Sequence, residues 1–156
     1  MTTTTTDRGL TIVRRFDAPR ELVFRAWTDP DHLHWYAGPG PAGPPATVDL
    51  RVGGAWRFHM AESAQKQYVT GGIYLEIEPP GRLVFAWGAV DGWPGIDPAR
   101  PLDNPVVTIT LSDVDGGTEM VFQFDFPDHF TDEEVRRWFD LGVADGWTQT
   151  LARLSP

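Results

Sequence analysis

The chain has 156 residues, no cysteine and a net charge of −9. That length suits one domain able to bury about 70% of its unfolded surface, and the absence of thiols excludes disulfides and thiolate chemistry. The acidic balance argues against a phosphate backbone or an anionic membrane surface as partner, since both need clustered Lys and Arg, and no apolar run approaches the roughly 20 residues of a membrane helix.

Met1 is followed by five threonines, Asp7 and Arg8. With neither a basic start nor an apolar stretch this is not a signal peptide. Residues 1–8 read as a disordered tail before a single domain, residues 9–156, placed in the cytoplasm.

Leu10 to Phe16 alternates, with Leu10, Ile12, Arg14 and Phe16 on one face, the period of a strand. Asp17 and Pro19 then open a short helix whose inner face is Leu22, Val23, Ala26 and Trp27. Thr28-Asp29-Pro30 repeats the punctuation and starts a second short helix, Asp31 to Tyr36. Ala37 to Pro45 is almost all Gly, Pro and Ala, hence a loop.

Six strands follow. Thr47 to Val52 ends at Gly53-Gly54, and Ala55 to Glu62 alternates with Trp56, Phe58 and Met60 on one side. Gln67 to Glu78 is long enough to need a bend, which Gly71-Gly72 can supply. Arg82 to Val90 is apolar and aromatic, and a long loop, Asp91 to Pro105, separates it from Val106 to Ser112. A turn over Asp113 to Gly117 leads into Thr118 to Phe126, with Met120, Phe122, Phe124 and Phe126 on one face.

The chain closes on a helix from about Asp132 to Leu154. Thr131 and Glu134 form a capping box, and Val135, Trp138, Phe139, Gly142, Gly146, Trp147, Thr150, Leu151 and Leu154 recur at helical spacing. The architecture is therefore α+β: strand, two short helices, a six-stranded antiparallel meander and a long C-terminal helix packed on the sheet's aromatic face.

Gly142 and Gly146 interrupt the inner face of that helix at a cost of about 1 kcal/mol each against Ala. Either something else occupies the space they leave, or they permit closer helix–sheet packing, with Trp56, Phe58, Trp87 and Phe122 filling the gap. The candidate pocket is lined by Trp27, Trp35, Trp56, Phe58, Met60, Tyr74, Trp87, Phe122, Phe124, Phe139, Gly142 and Gly146.

Polar chemistry is scarce. His32 and His34 are two apart and do not share a helix face, while His59 and His129 point elsewhere, so neither a metal site nor a cofactor is expected. Ser63, Ser112 and Ser155 lie at strand or chain ends, outside any nucleophile elbow. Gly38 to Pro45 places prolines where a phosphate loop needs amides. Arg14 shares the inward face with Ile12 and Phe16; it is exposed at an edge, buried against a carboxylate such as Asp125 or Glu119, or placed in the pocket mouth to hold a ligand carboxylate.

The strings RRFDAPRELVFRAWTDPDHLHWY, DLRVGGAWRF, GIYLEIEPPGRLVF, GGTEMVF and GWTQTLARL, in this order from about Gly9 to Leu154, resemble the bacterial branch called activator-of-heat-shock-protein-ATPase-homologue-like, within the SRPBCC superfamily. The resemblance implies the helix-grip fold, also called START-like or Bet v 1-like, with an apolar cavity between sheet and helix. Its relatives bind lipids, sterols, polyketides or plant hormones, and some are cyclases. It carries no catalytic residue set to this chain.

Three functions follow as expectations: binding of a small hydrophobic or aromatic ligand, lipid- or polyketide-like; a cyclase or aldol-type enzyme on a polyketide-like substrate, which would need an acid or base in the pocket; or a co-chaperone-like interaction domain, which would need an exposed apolar patch. The loop with Trp93 and Ile96 is the place for such a patch, and for homodimerisation.

Overall fold

The computed structural model describes all 156 residues. In chain order the elements are β1 (Thr2–Thr6), β2 (Gly9–Phe16), α1 (Arg20–Thr28), a 3-10 helix (Pro30–Tyr36), β3 (Thr47–Val48), β4 (Ala55–Ala61), β5 (Gln67–Glu78), β6 (Arg82–Trp87), β7 (Val106–Val114), β8 (Gly117–Asp125), α2 (Asp132–Asp140) and α3 (Val143–Ala152). A short 3-10 turn, Pro101–Asp103, lies in the loop before β7. All strands join one antiparallel sheet in the order β1-β2-β8-β7-β6-β5-β4-β3. The α+β helix-grip architecture holds.

Register explains the core. Ile12, Phe122, Ile109, Leu83 and Ile77 align across five strands, and Leu10, Phe124, Val107, Phe85 and Tyr74 form the next row. Alternation puts both rows on one face, where α1, the 3-10 helix, α2 and α3 contribute to the same apolar cluster. Removing one such ring costs about 3–5 kcal/mol.

Several expectations change. Residues 1–8 are not a disordered tail: Thr2–Thr6 hydrogen-bonds along β2, from Thr2 opposite Val13 to Thr6 opposite Gly9. An edge strand needs only the backbone ladder, and β-branched Thr suits it. Five identical polar residues carry no alternation from which to see this. In α1, Leu22 is exposed and Phe24 is buried instead. Pro19, not Asp17, is the N-cap, and it makes no side-chain bond. β3 stops at Val48 because Asp49 and Arg51 turn the chain, with Asp49 N–H donating to Ala55 O and Arg51 N–H to Asp49 O.

The irregularity of β5 lies at Leu75, between Tyr74 and Glu76, and not at Gly71-Gly72. It switches parity, so Tyr74 and Ile77 both face inward. Gly72 has a packing reason instead. It lies opposite Trp56 on one side and Trp87 on the other, and a Cβ there would come within 2.6 Å of the Trp56 Nε1.

The long C-terminal helix is two helices. Thr131 caps α2 as expected, its Oγ1 accepting from Glu134 N–H at 3.1 Å. α2 ends at Gly142, whose φ of +89° is left-handed, a conformation natural to Gly at a helix C-terminus. Gly142 N–H bonds back to Phe139 O, and Gly146 N–H bonds to Gly142 O as α3 begins.

Candidate functional site: an aromatic cavity

A cavity of about 660 Å³ lies between the inward face of β4–β6 and the α2–α3 pair. Its rim carries the exposed Glu62–Lys66 ion pair, 2.6 Å, in the β4–β5 turn, and exposed Leu141 at the helix break. A volume in this range matches a drug-sized ligand.

Of the residues expected there, Met60, Trp87, Gly142 and Gly146 line the cavity. Trp27, Trp35, Trp56, Phe58, Tyr74, Phe122 and Phe124 do not; they are buried in the core cluster, and Phe139 packs against its edge. Trp27 shows why: Trp35 meets it edge-on at 4.9 Å and Phe122 stacks on it at 6.3 Å, so the ring is surrounded by other rings. Tyr74 is buried with its hydroxyl unpaired; burial, then nearby Asp49, raises its pKa.

The walls are rings from six parts of the chain. Trp87, at the end of β6, meets Trp147 at 5.2 Å, Trp93 at 5.3 Å and Trp138 at 6.0 Å. Trp93 stacks on Trp138 at 5.8 Å and meets Tyr68 edge-on at 5.7 Å, and Tyr36 meets Trp147 at 5.9 Å. These separations are those of favourable aromatic pairs, each contributing about 0.5–1.5 kcal/mol beyond area burial. The cage is therefore largely pre-formed.

The loop after β6 makes one wall. Trp93 N–H donates to Val69 O at 2.8 Å, and the Asn104 amide donates to Trp87 O at 3.1 Å and Gly95 O at 2.9 Å. Ile96 does not form an exposed patch, because it is buried against Ile73 and Ala86 in a second small cluster. Trp93 stays partly exposed while its ring faces the cage.

The two glycines of the helical wall differ. Gly142 is held by its left-handed backbone. Gly146 is inside α3, and a Cβ there would meet no atom within 4 Å. Close packing does not require Gly146; the space beside it is open.

Polar groups gather at one end. Arg153, just past α3, donates to the carbonyls of Trp35 and Tyr36, both at 3.3 Å, and tethers the 3-10 helix to α3. Trp87 Nε1 donates to Thr70 Oγ1 at 3.2 Å, and Tyr36 lines the same cavity as Trp87. Burial above all, with a smaller push from Tyr68, holds Tyr36 well above the ordinary tyrosine range. Tyr68 donates to Glu62 at a long 3.4 Å, and burial together with the Glu62 charge pushes it up to about 12. At neutral pH both are neutral hydrogen-bond donors.

Arg14 takes neither expected carboxylate. Its guanidinium lies over the Phe16 ring at 4.4 Å and donates to Leu151 O in the last turn of α3, where a cation complements the helix dipole. Glu119 pairs with Arg15 instead. His59 bonds to Gln67 at 3.0 Å outside the cavity. No group of three or more His, Asp or Glu side chains comes together as metal ligands would.

Sequence pattern puts Trp93 in a loop and Trp138 and Trp147 on the helical stripe, but it does not assign them, or Arg153, to the pocket. Helical spacing is the signal for Arg153: it is seven residues after Gly146, two turns along the same face.

The family described as Activator of Hsp90 ATPase homolog 1-like protein matches residues 17–155. No curated protein matches the chain in sequence. Among solved structures, protein Ms6760 from Mycobacterium smegmatis superposes with a TM-score of 0.76 at 23% identity, over 98% of this chain and 93% of that one. A protein from Arthrobacter aurescens gives 0.74 at 22%, over 97% and 87%. NE0264 from Nitrosomonas europaea gives 0.73 at 23%, over 97% and 94%. At these identities the likeness is one of fold.

Proposed function

The chain belongs to the Activator of Hsp90 ATPase homolog 1-like family, and we propose that this member is a binding protein for a small hydrophobic, aromatic-rich ligand, polyketide-like more than lipid-like, held between the sheet and α2–α3. One observation carries the reading. A cavity of about 660 Å³ is walled by Tyr36, Tyr68, Trp87, Trp93, Trp138 and Trp147, and α3 keeps a glycine facing its open space. Flat rings offer faces and edges to a flat ligand, whereas a flexible acyl chain needs only aliphatic walls.

The cyclase or aldol reading has less support. The one cavity carboxylate, Glu62, is held by Lys66 at the rim, and no histidine lines the space. The co-chaperone reading needs an apolar surface on the loop after β6; that loop buries Ile96 but leaves Val90, Trp93 and Leu102 exposed, and Trp93 also stacks on Trp138 in the cage wall.

The test is titration of the purified protein with neutral N-phenyl-1-naphthylamine, followed by tryptophan quenching and probe emission. The reading expects saturable binding with one site per chain, abolished by Gly146→Phe in a protein that still melts cooperatively. Absence of saturation, or equal binding by Gly146→Phe, would overturn it. Native mass spectrometry of freshly purified protein would look for the natural occupant.

A further inference from the structure

The ring cage leaves the ligand's charge undecided, since aromatic faces suit neutral rings and cations alike. The polar end of the cavity decides it. Three charged side chains line the space: Glu62, Lys66 and Arg153. Glu62 and Lys66 neutralise each other at 2.6 Å on the rim. Arg153 has no carboxylate within the 4.0 Å of an ion pair. It makes only long contacts to neutral acceptors: the carbonyls of Trp35, Tyr36 and Gln149 at 3.3 Å and Thr150 Oγ1 at 3.4 Å. Arg14 is likewise half-buried and without a carboxylate, but of the two only Arg153 lines the cavity, so its charge is the one left open to a ligand.

Arg153 is not isolated from the other donors. It lines the same cavity as Tyr36 and Tyr68, so a guanidinium and two neutral phenols border one space. Tyr68 is bound elsewhere only by the 3.4 Å contact to Glu62. Convergent donors at the end of an apolar pocket are how such sites fix orientation.

We propose that the ligand is a flat aromatic acid, a carboxylate or an acidic phenolate on a ring system, with its anionic oxygens on Arg153 and Tyr68 and its rings between Trp87, Trp93, Trp138 and Trp147. A guanidinium offers a planar fork that fits a carboxylate. The proposal rests on the cavity-binding reading above and adds the sign and place of the charge.

The experiment compares two probes that share a ring and differ in charge, 2-naphthoate and 2-naphthamide, by calorimetry on the intact chain. The proposal expects both to bind and the acid to bind on the order of tenfold more tightly or better, the scale of one charge-assisted hydrogen bond. Arg153→Met should erase that preference while leaving 2-naphthamide unchanged. Equal affinity of the two probes for the native chain overturns the acid proposal and leaves the cavity reading standing. Binding of neither overturns the cavity reading. A preference that survives Arg153→Met overturns the assignment to Arg153. Because Arg153 also tethers the 3-10 helix, a second measurement uses the unmodified chain: 2-naphthoate should shift the Arg153 Nε–H resonance and 2-naphthamide should not. An unmoved resonance under saturating 2-naphthoate would sink the proposal.

Discussion

Gly146 is exposed at the mouth of the cavity, and a single added methyl group tells open space beside α3 from a tight helix–sheet contact. Gly146 is helical, inside α3, with no atom within 4 Å of where a Cβ would stand. Gly146→Ala therefore adds a methyl to empty space and gains the full difference in helix propensity, about 1 kcal/mol. For a chain of this length that is a rise in melting temperature of about 2–4 °C. If α3 instead needed glycine to approach the sheet, the added methyl would overpack the interface and cost about 1–3 kcal/mol. The two cases differ in sign, so differential scanning calorimetry of the native chain and Gly146→Ala is decisive. A lower melting temperature for Gly146→Ala would refute the reasoning. Gly146→Phe extends the test, since a benzyl group at that position enters the ligand space and should remove probe binding while the fold is kept.

Gly142→Ala should do the opposite of Gly146→Ala. With φ at +89° and no clash to meet, the cost is the left-handed backbone alone, about 1–2 kcal/mol, seen as a lower denaturation midpoint with an unchanged slope. Arg14→Met, which removes both the donor to Leu151 O and the guanidinium over Phe16, should cost on the order of 1–2 kcal/mol in the same assay. All three tyrosines, Tyr36, Tyr68 and Tyr74, have raised pKa values, in each case chiefly through burial. The fold thus favours the neutral phenols, a contribution fully present below the unfolded pKa of about 10 and lost as pH rises beyond it. Near-ultraviolet titration of the native chain should show almost no tyrosinate at pH values where the chain in guanidinium chloride is already ionised, and thermal stability should fall as pH climbs above about 10; a tyrosine titrating near 10 in the native chain contradicts this.

Much of this molecule is legible in its sequence because burial and periodicity are local quantities. Met120, Phe122 and Phe124 alternate on β8 and are each fully buried, and Thr131 with Glu134 starts α2 as capping requires. The order of elements, the meander and the helix laid on its aromatic face all follow from such patterns. What the sequence could not reveal is pairing without pattern and the difference between a buried ring and a lining ring. β1 is held by backbone hydrogen bonds that do not depend on side-chain alternation. Trp27, Trp56 and Phe122 share the hydrophobic signature of Trp87 and Trp147, yet the first three meet other rings while Trp87 and Trp147 also border a void. Periodicity says which face a residue occupies, not how far the opposite layer stands from it. That distance is set by the break at Gly142, the fold-back of the Trp93 loop and the tether from Arg153 to the 3-10 helix. The chain alone thus determined an aromatic interior; its tertiary arrangement decided where that interior is left unfilled and that a lone cation stands at its end.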